Sequence, residues 1–153
     1  MRNQKKLLLE QLDNKLSAFN GTETIQIPDK GWIYNIRTAL NMTLEQLGQK
    51  LNITKQGAKK IEERESTGAI SIKSLSEVAK ALDMKFVYGF VSNYSSLEKI
   101  VEIKAIDLAK KIVLRTHQNM KLENQGNADA QIKKAIEELS LELKREMPKS
   151  LWD

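Results

Sequence analysis

The stretch Thr43-Leu-Glu-Gln-Leu-Gly-Gln-Lys-Leu-Asn-Ile-Thr-Lys-Gln-Gly-Ala-Lys-Lys-Ile-Glu62 constrains this chain more than any other. Thr43 and Gln46 have the spacing of a capping box, in which the threonine hydroxyl accepts from the glutamine amide and the glutamine side chain reaches back. They predict a helix starting at about Leu44. Leu47 and Leu51 give that helix a buried face, and Gly48 between them lets a second helix backbone cross closely. Asn52 suits the turn, because it tolerates a left-handed conformation that a β-branched residue resists. Ile53 plugs the angle, Thr54 caps a second helix, and Ala58 and Ile61 face inward. Each match alone is cheap, but together in one short window they specify two helices joined by a tight turn.

Two-helix units of this kind place the second helix in the DNA major groove, its first residues against base edges, while the first helix spans the backbone. Position then assigns roles. Lys55 and Gln56 open the second helix and Lys59 lies one turn on; lysine suits guanine O6 and N7, and glutamine suits adenine N6 and N7. These three are the expected base-contacting residues. Thr43 and Thr54 stand at helix starts, where hydroxyls and amides meet phosphate oxygens, and Arg37, Gln49, Lys50 and Lys60 are the further expected phosphate contacts. The charge pattern agrees with this. The formal net charge is +5, and residues 31–61 carry five basic groups against one acid, whereas residues 95–153 carry eleven against ten. Basic excess concentrated on one segment is the footprint of a phosphate-binding face.

The flanking sequence reads as mainly α. Leu8, Leu12, Leu16 and Phe19 recur at spacings of four, four and three, an amphipathic helix whose stripe packs on its own domain or serves as a dimerisation or docking arm. Residues 19–31, bounded by glycines and holding Pro28, form a connector, with Ile25 and Ile27 suited to a short extended piece. A helix from about Trp32 to Leu40 puts Ile33, Ile36, Ala39 and Leu40 on one face and leaves Arg37 on the opposite side. After a polar turn over 62–68, Ser71 caps a helix carrying Ile72, Leu75, Val78, Ala79 and Leu82.

Met84-Lys-Phe-Val-Tyr-Gly-Phe-Val91 changes character. Its β-branched and aromatic residues predict a strand, pairing with the Ile25–Ile27 piece, a symmetry mate or another protein. Ser95-Ser-Leu-Glu98 has the form of a second capping box and opens a long helix through Val113. Gln125-Gly-Asn127 breaks the pattern, and Ile132, Ile136, Leu139, Leu143 and Met147 continue with an a/d-like seam, giving a C-terminal helical hairpin on which Leu151 and Trp152 fold back. The expected parts are an N-terminal amphipathic helix (1–20), a helix-turn-helix DNA-binding domain (31–83), and a strand plus helical hairpin for dimerisation or partner binding (84–153).

Several classes drop out. There is no cysteine and a single histidine, His117, so neither a thiolate site nor a conventional zinc site can form, and no metal or cofactor is expected. No glycine-rich phosphate loop or nucleophile–base constellation is present, so the chain is not expected to be an enzyme. His117 reads as a surface or seam residue. No run of about 18 apolar residues and no secretory signal appears, which makes a cytoplasmic location, away from any membrane, the expectation.

The segment Arg37–Glu62 resembles the helix-turn-helix of phage-repressor-like (Xre/Cro) regulators. That family commonly has alanine where Gly48 stands and glycine where Asn52 stands. A wider pattern runs through Gly31-Trp-Ile-Tyr-Asn-Ile-Arg37, Ser71–Leu82, Phe86-Val-Tyr-Gly-Phe-Val91, Ser95-Ser-Leu-Glu98, Met120-Lys-Leu-Glu-Asn-Gln125 and Leu151-Trp-Asp153. It resembles the mobile mystery protein A family over nearly the whole chain. The resemblance implies a lambda-repressor-like core and a regulator or antitoxin encoded beside a Fic-domain, AMP-transferring toxin. It also implies a candidate inhibitory residue, Glu123. Fic inhibitors carry Ser or Thr, three residues, then Glu-Gly or Glu-Asn, and Asn119-Met-Lys-Leu-Glu123-Asn124 departs from that pattern by having Asn119 in place of the hydroxyl. The chain is thus expected to bind an operator of two-fold symmetry as a homodimer, because half-sites about one helical turn apart match two symmetric recognition helices. The alternative is an antitoxin acting mainly by direct inhibition of a Fic toxin.

Overall fold

A computed structural model describes residues 2–117 and 125–153. It contains α1 (Arg2–Leu16), α2 (Gly31–Ala39), α3 (Leu44–Leu51), α4 (Lys55–Thr67), α5 (Ile72–Ala81), α6 (Leu97–His117) and α7 (Gln125–Glu146), with short 3-10 turns at Ser17–Phe19, Thr22–Thr24 and Lys149–Trp152. The backbone falls into two compact units, residues 23–89 and residues 1–22 with 90–153.

The 23–89 unit is held by one apolar cluster. Ile33 of α2, Leu47 of α3, Ala58 of α4, and Val78 and Leu82 of α5 are buried together, with Ile36, Met42, Leu51, Ile61 and Leu75 packed around them. Leu47 is fully sealed from solvent. Truncating such a leucine to alanine costs about 2–5 kcal/mol, so one residue of α3 carries a large part of the domain's stability. The caps predicted from sequence for α3 and α5 are in place: Thr43 Oγ1 accepts from Gln46 N at 3.1 Å while Thr43 N donates to Gln46 Oε1 at 2.9 Å. Ser71 Oγ accepts from Ser74 N at the start of α5.

Asn52 ends α3 in the left-handed region, with φ of 57°. Gly48 is there for proximity: a Cβ built on it would lie 2.9 Å from the Ile53 carbonyl oxygen, a backbone atom that cannot swing aside. The polar run after Glu62 is not a turn. It is the second half of α4, which continues to Thr67. The reason is that two of its acids are engaged: Glu62 is buried against Arg37, and Glu65 Oε1 accepts from Ile33 N at 2.8 Å, closing the open N-terminus of α2.

In the other unit α6 and α7 form an antiparallel pair, marked by Lys144 near the end of α7 reaching Glu98 (3.5 Å) and Glu102 (3.9 Å) in the first turns of α6. Val101, Ala105 and Leu151 are buried there, with Leu9, Leu108, Leu143 and Met147 packed on them. α1 docks through Leu9, and the Asp13 carboxylate accepts from Leu97 N (2.7 Å) and Glu98 N (3.1 Å), where a negative charge also meets the positive end of the α6 dipole.

Four further sequence expectations are corrected. Leu8 and Leu12 do not pack on the domain; they are 66% and 47% exposed, and the inward row runs through Leu9, Asp13 and Leu16 because α1 rotates to bring Asp13 onto the α6 amides. The α6 cap is Ser96, whose Oγ accepts from Lys99 N, and not Ser95, whose φ is +77°. No strand is found among the described residues: Met84–Val91 adopts no regular secondary structure and does not pair with Ile25 or Ile27, while pairing with a symmetry mate or another protein is not one that a single chain can form. Gln125-Gly-Asn127 does not break a helix; it opens α7. Leu151 folds back and is buried, but Trp152 stays 55% exposed, since a 3-10 turn after Pro148 directs neighbouring side chains apart.

Candidate nucleic-acid interface

The candidate surface is the exposed side of α3, the turn and α4. Its inner side is fixed by Leu47, Gly48 and Ala58, all buried, so the outward residues stand on a rigid base. On α4, Ala58, Ile61 and Glu62 point inward; at 100° per residue the opposite side carries Gln56 and Lys60, with Lys59 flanking them. Lys55, Gln56, Lys59 and Lys60 are all exposed, as are Thr43, Gln49, Lys50 and Thr54.

The N-terminus of α4 is chemically prepared for an anion. Thr54 Oγ1 accepts from Gly57 N at 3.0 Å, which leaves its hydroxyl hydrogen free to donate outward, and the amides of the first helical residues have no partner within the helix. No acidic residue stands in the first turn of α4, so the helix dipole and the lysines add with the same sign. Thr43 likewise caps the start of α3, where Glu45 stands in the first turn. Beside α3, Asn41, Gln46, Gln49 and Lys50 line an open polar depression. Farther along α4, the exposed Glu63 lies on the outward side one turn beyond Lys59. A carboxylate repels phosphate, so the basic reading surface is confined to the first two turns of α4.

Arg37 is not on this surface. It is 8% exposed; Nε and Nη2 donate to the Glu62 carboxylate and Nη1 donates to the Met42 carbonyl at 2.8 Å. The hydrogen bond that Arg37 donates to Glu62 raises the Arg37 pKa above its ordinary value although burial works against it. With these donors spent, Arg37 ties α2 to α4 and to the entry of α3, and its role is to position the two helices. Helical spacing carried the signal: Arg37 lies four residues after Ile33, and Glu62 four after Ala58, both on inward rows. Glu65, the cap of α2, escaped notice because its partner is 32 residues away.

Paired caps, a close helix crossing and a basic outward face define a DNA-binding helix-turn-helix. The match with known proteins is narrower than the chain: residues 33–88 match the Helix-turn-helix family HTH_3, which covers α2 through α5 and the segment after it. That region is an Xre-type helix-turn-helix domain, the domain of DNA-binding transcriptional regulators. No curated protein and no solved structure matches the chain. Among the described residues no helix is long and apolar enough to cross a membrane.

Proposed function

We propose that the chain is a sequence-specific transcriptional regulator that represses its own promoter, binding a two-fold operator as a homodimer. The observation that carries this reading is the exposed Lys55, Gln56 and Lys59 at the capped, acid-free start of α4, on a helix locked to α2 and α3 by the Arg37–Glu62 pair. In this reading those three side chains contact bases. Thr43, Gln49, Lys50, Thr54 and Lys60 hold phosphates and set the register.

The resemblance to the mobile mystery protein A family adds a partner, a Fic-domain toxin, and makes the chain its autoregulating antitoxin. Two routes to neutralisation then exist. One is repression of the shared promoter; the other is direct inhibition, for which Glu123 is the sequence candidate, a residue outside the described part of the structure. The first is preferred because the features described above concern DNA.

The test is co-expression with the adjacent gene product. Co-purification of a Fic-domain protein supports the antitoxin reading, and its silencing by wild type but not by Glu123→Ala assigns the inhibitory glutamate. Equal silencing by both excludes Glu123, and absence of any complex leaves the regulator alone.

A further inference from the structure

Residues Met84–Phe90 leave a segment unused by the DNA-binding reading. Val87, Tyr88 and Phe90 are 65%, 64% and 80% exposed, and Met84 is 51% exposed. Among the described residues, no backbone hydrogen bond is made by residues 85–91. The rings of Phe86 and Tyr88 lie 6.0 Å apart and nearly parallel, on one side of the chain as residues two apart are in a strand. Beside residues 84–87 runs an apolar groove of about 650 Å³ whose other walls include Ile27, Trp32, Leu75 and Ala79.

We infer that this segment is a dimerisation strand that pairs antiparallel with the same segment of a second copy, about a two-fold axis through Tyr88. This deepens the homodimer reading above by naming its surface. Three observations select a second copy as the occupant. The first is self-complementarity: with Tyr88 opposite its symmetry mate, Phe86 faces Phe90 of the other copy, so Met84, Phe86, Tyr88 and Phe90 all fall on one face. A slip by one residue would scatter the aromatics over both faces. The second is charge. Lys85 is the one charged residue of the segment, and in this register it lies opposite Val91, roughly 20 Å along the ribbon from the other Lys85, so no like charges meet.

The third is area. The exposed parts of Met84, Tyr88 and Phe90, with Ile27 beside them, amount to roughly 500 Å² per copy, about 1,000 Å² in the pair. That is just under the standard size of a specific interface, enough for a weak dimer that two half-sites on DNA would reinforce. The groove gives the aromatic face a surface to pack on, which a free two-stranded ribbon lacks. The exposed leucines of α1 are a poorer choice. Their helix already satisfies its own backbone, whereas residues 85–90 offer apolar side chains and open amides to one partner.

The chain has no cysteine, so single substitutions report pairing cleanly. Full-length Tyr88→Cys, Phe86→Cys and Leu12→Cys are oxidised with copper–phenanthroline at micromolar concentration without DNA, so the outcome is independent of operator binding. Directly opposed strand residues lie about 4.5–5.5 Å apart between Cα atoms, within disulfide reach, while the two copies of residue 86 would be about 13 Å out of register. The expected result is a Tyr88→Cys cross-linked dimer at least about ten-fold above Phe86→Cys, and cross-linking between mixed Phe86→Cys and Phe90→Cys chains. In sedimentation, Tyr88→Glu should raise the dimer dissociation constant about ten-fold or more with unchanged helical circular dichroism, because like charges would meet on the axis. Equal cross-linking of Tyr88→Cys and Phe86→Cys, preferential cross-linking of Leu12→Cys, or an unchanged dissociation constant for Tyr88→Glu would overturn the proposal.

Discussion

Replacing Arg37 by methionine leaves the Glu62 carboxylate in a place with 7% exposure and no cation, and it takes the Nη1 donor from the Met42 carbonyl. Breaking a buried pair from one side costs about 3–5 kcal/mol, most of it the penalty of the charge left behind. Against a typical domain stability of about 5–15 kcal/mol, that is about a fifth of the total or more. Removing both charges is different in kind. Arg37→Met with Glu62→Leu strands no ion, and should recover to within about 1–2 kcal/mol of wild type, the remaining loss being the unpaired Met42 carbonyl.

The assay is urea unfolding followed by tryptophan fluorescence. The chain has two tryptophans, and Trp152, more than half exposed, can be changed to phenylalanine so that Trp32 reports the 23–89 unit alone. The pH dependence has a definite sign. Because the folded-state pKa of Arg37 is raised, its contribution is full below the unfolded-state value and is lost only as pH climbs through the folded one, both strongly alkaline. The Arg37 contribution should therefore be flat through the neutral range. A single substitution costing under about 1 kcal/mol, or a double variant as unstable as the sum of its singles, would refute the assignment of this pair as the tie between α2 and α4.

Three further outcomes follow from the same geometry. Gly48→Ala gains helix propensity of about 1 kcal/mol but drives a Cβ to within 2.9 Å of the Ile53 carbonyl, so a net loss of about 1 kcal/mol is expected in the same unfolding assay. Asp13→Ala should destabilise the unit built on α6 by about 1–2 kcal/mol by uncapping its first two amides, measured as a lowered thermal midpoint. Lys60→Ala should weaken binding to all DNA sequences alike and reduce the slope of log affinity against log salt by about one unit, read from titrations at several salt concentrations.

Local chemistry made the centre of the domain legible. The Thr43–Gln46 box, the left-handed Asn52, the Thr54 and Ser71 caps and the apolar rows of α3 and α5 each depend on residues within a few positions of one another. What was hidden depends on partners far along the chain. The burial of Arg37 needs Glu62, the length of α4 needs Glu65 to reach α2, and the rotation of α1 that exposes Leu8 and Leu12 needs the α6 amides more than 80 residues away. Met84–Val91 has strand composition without a strand, because composition sets what a segment can pair with and not whether its partner is in the same chain. Of the expected site residues, those at helix starts stand exposed where spacing put them, and Arg37, assigned from an assumed outward face, does not.

The most direct measurement is fluorescence anisotropy of the chain titrated into a fragment of its own promoter and into unrelated DNA, with Gln56→Ala in parallel. The account predicts a salt-dependent complex that prefers the promoter, with a loss of about 1–3 kcal/mol for Gln56→Ala on the promoter and little change on unrelated DNA. No complex with the promoter even at low ionic strength, or equal losses for Gln56→Ala on both DNAs, would contradict it.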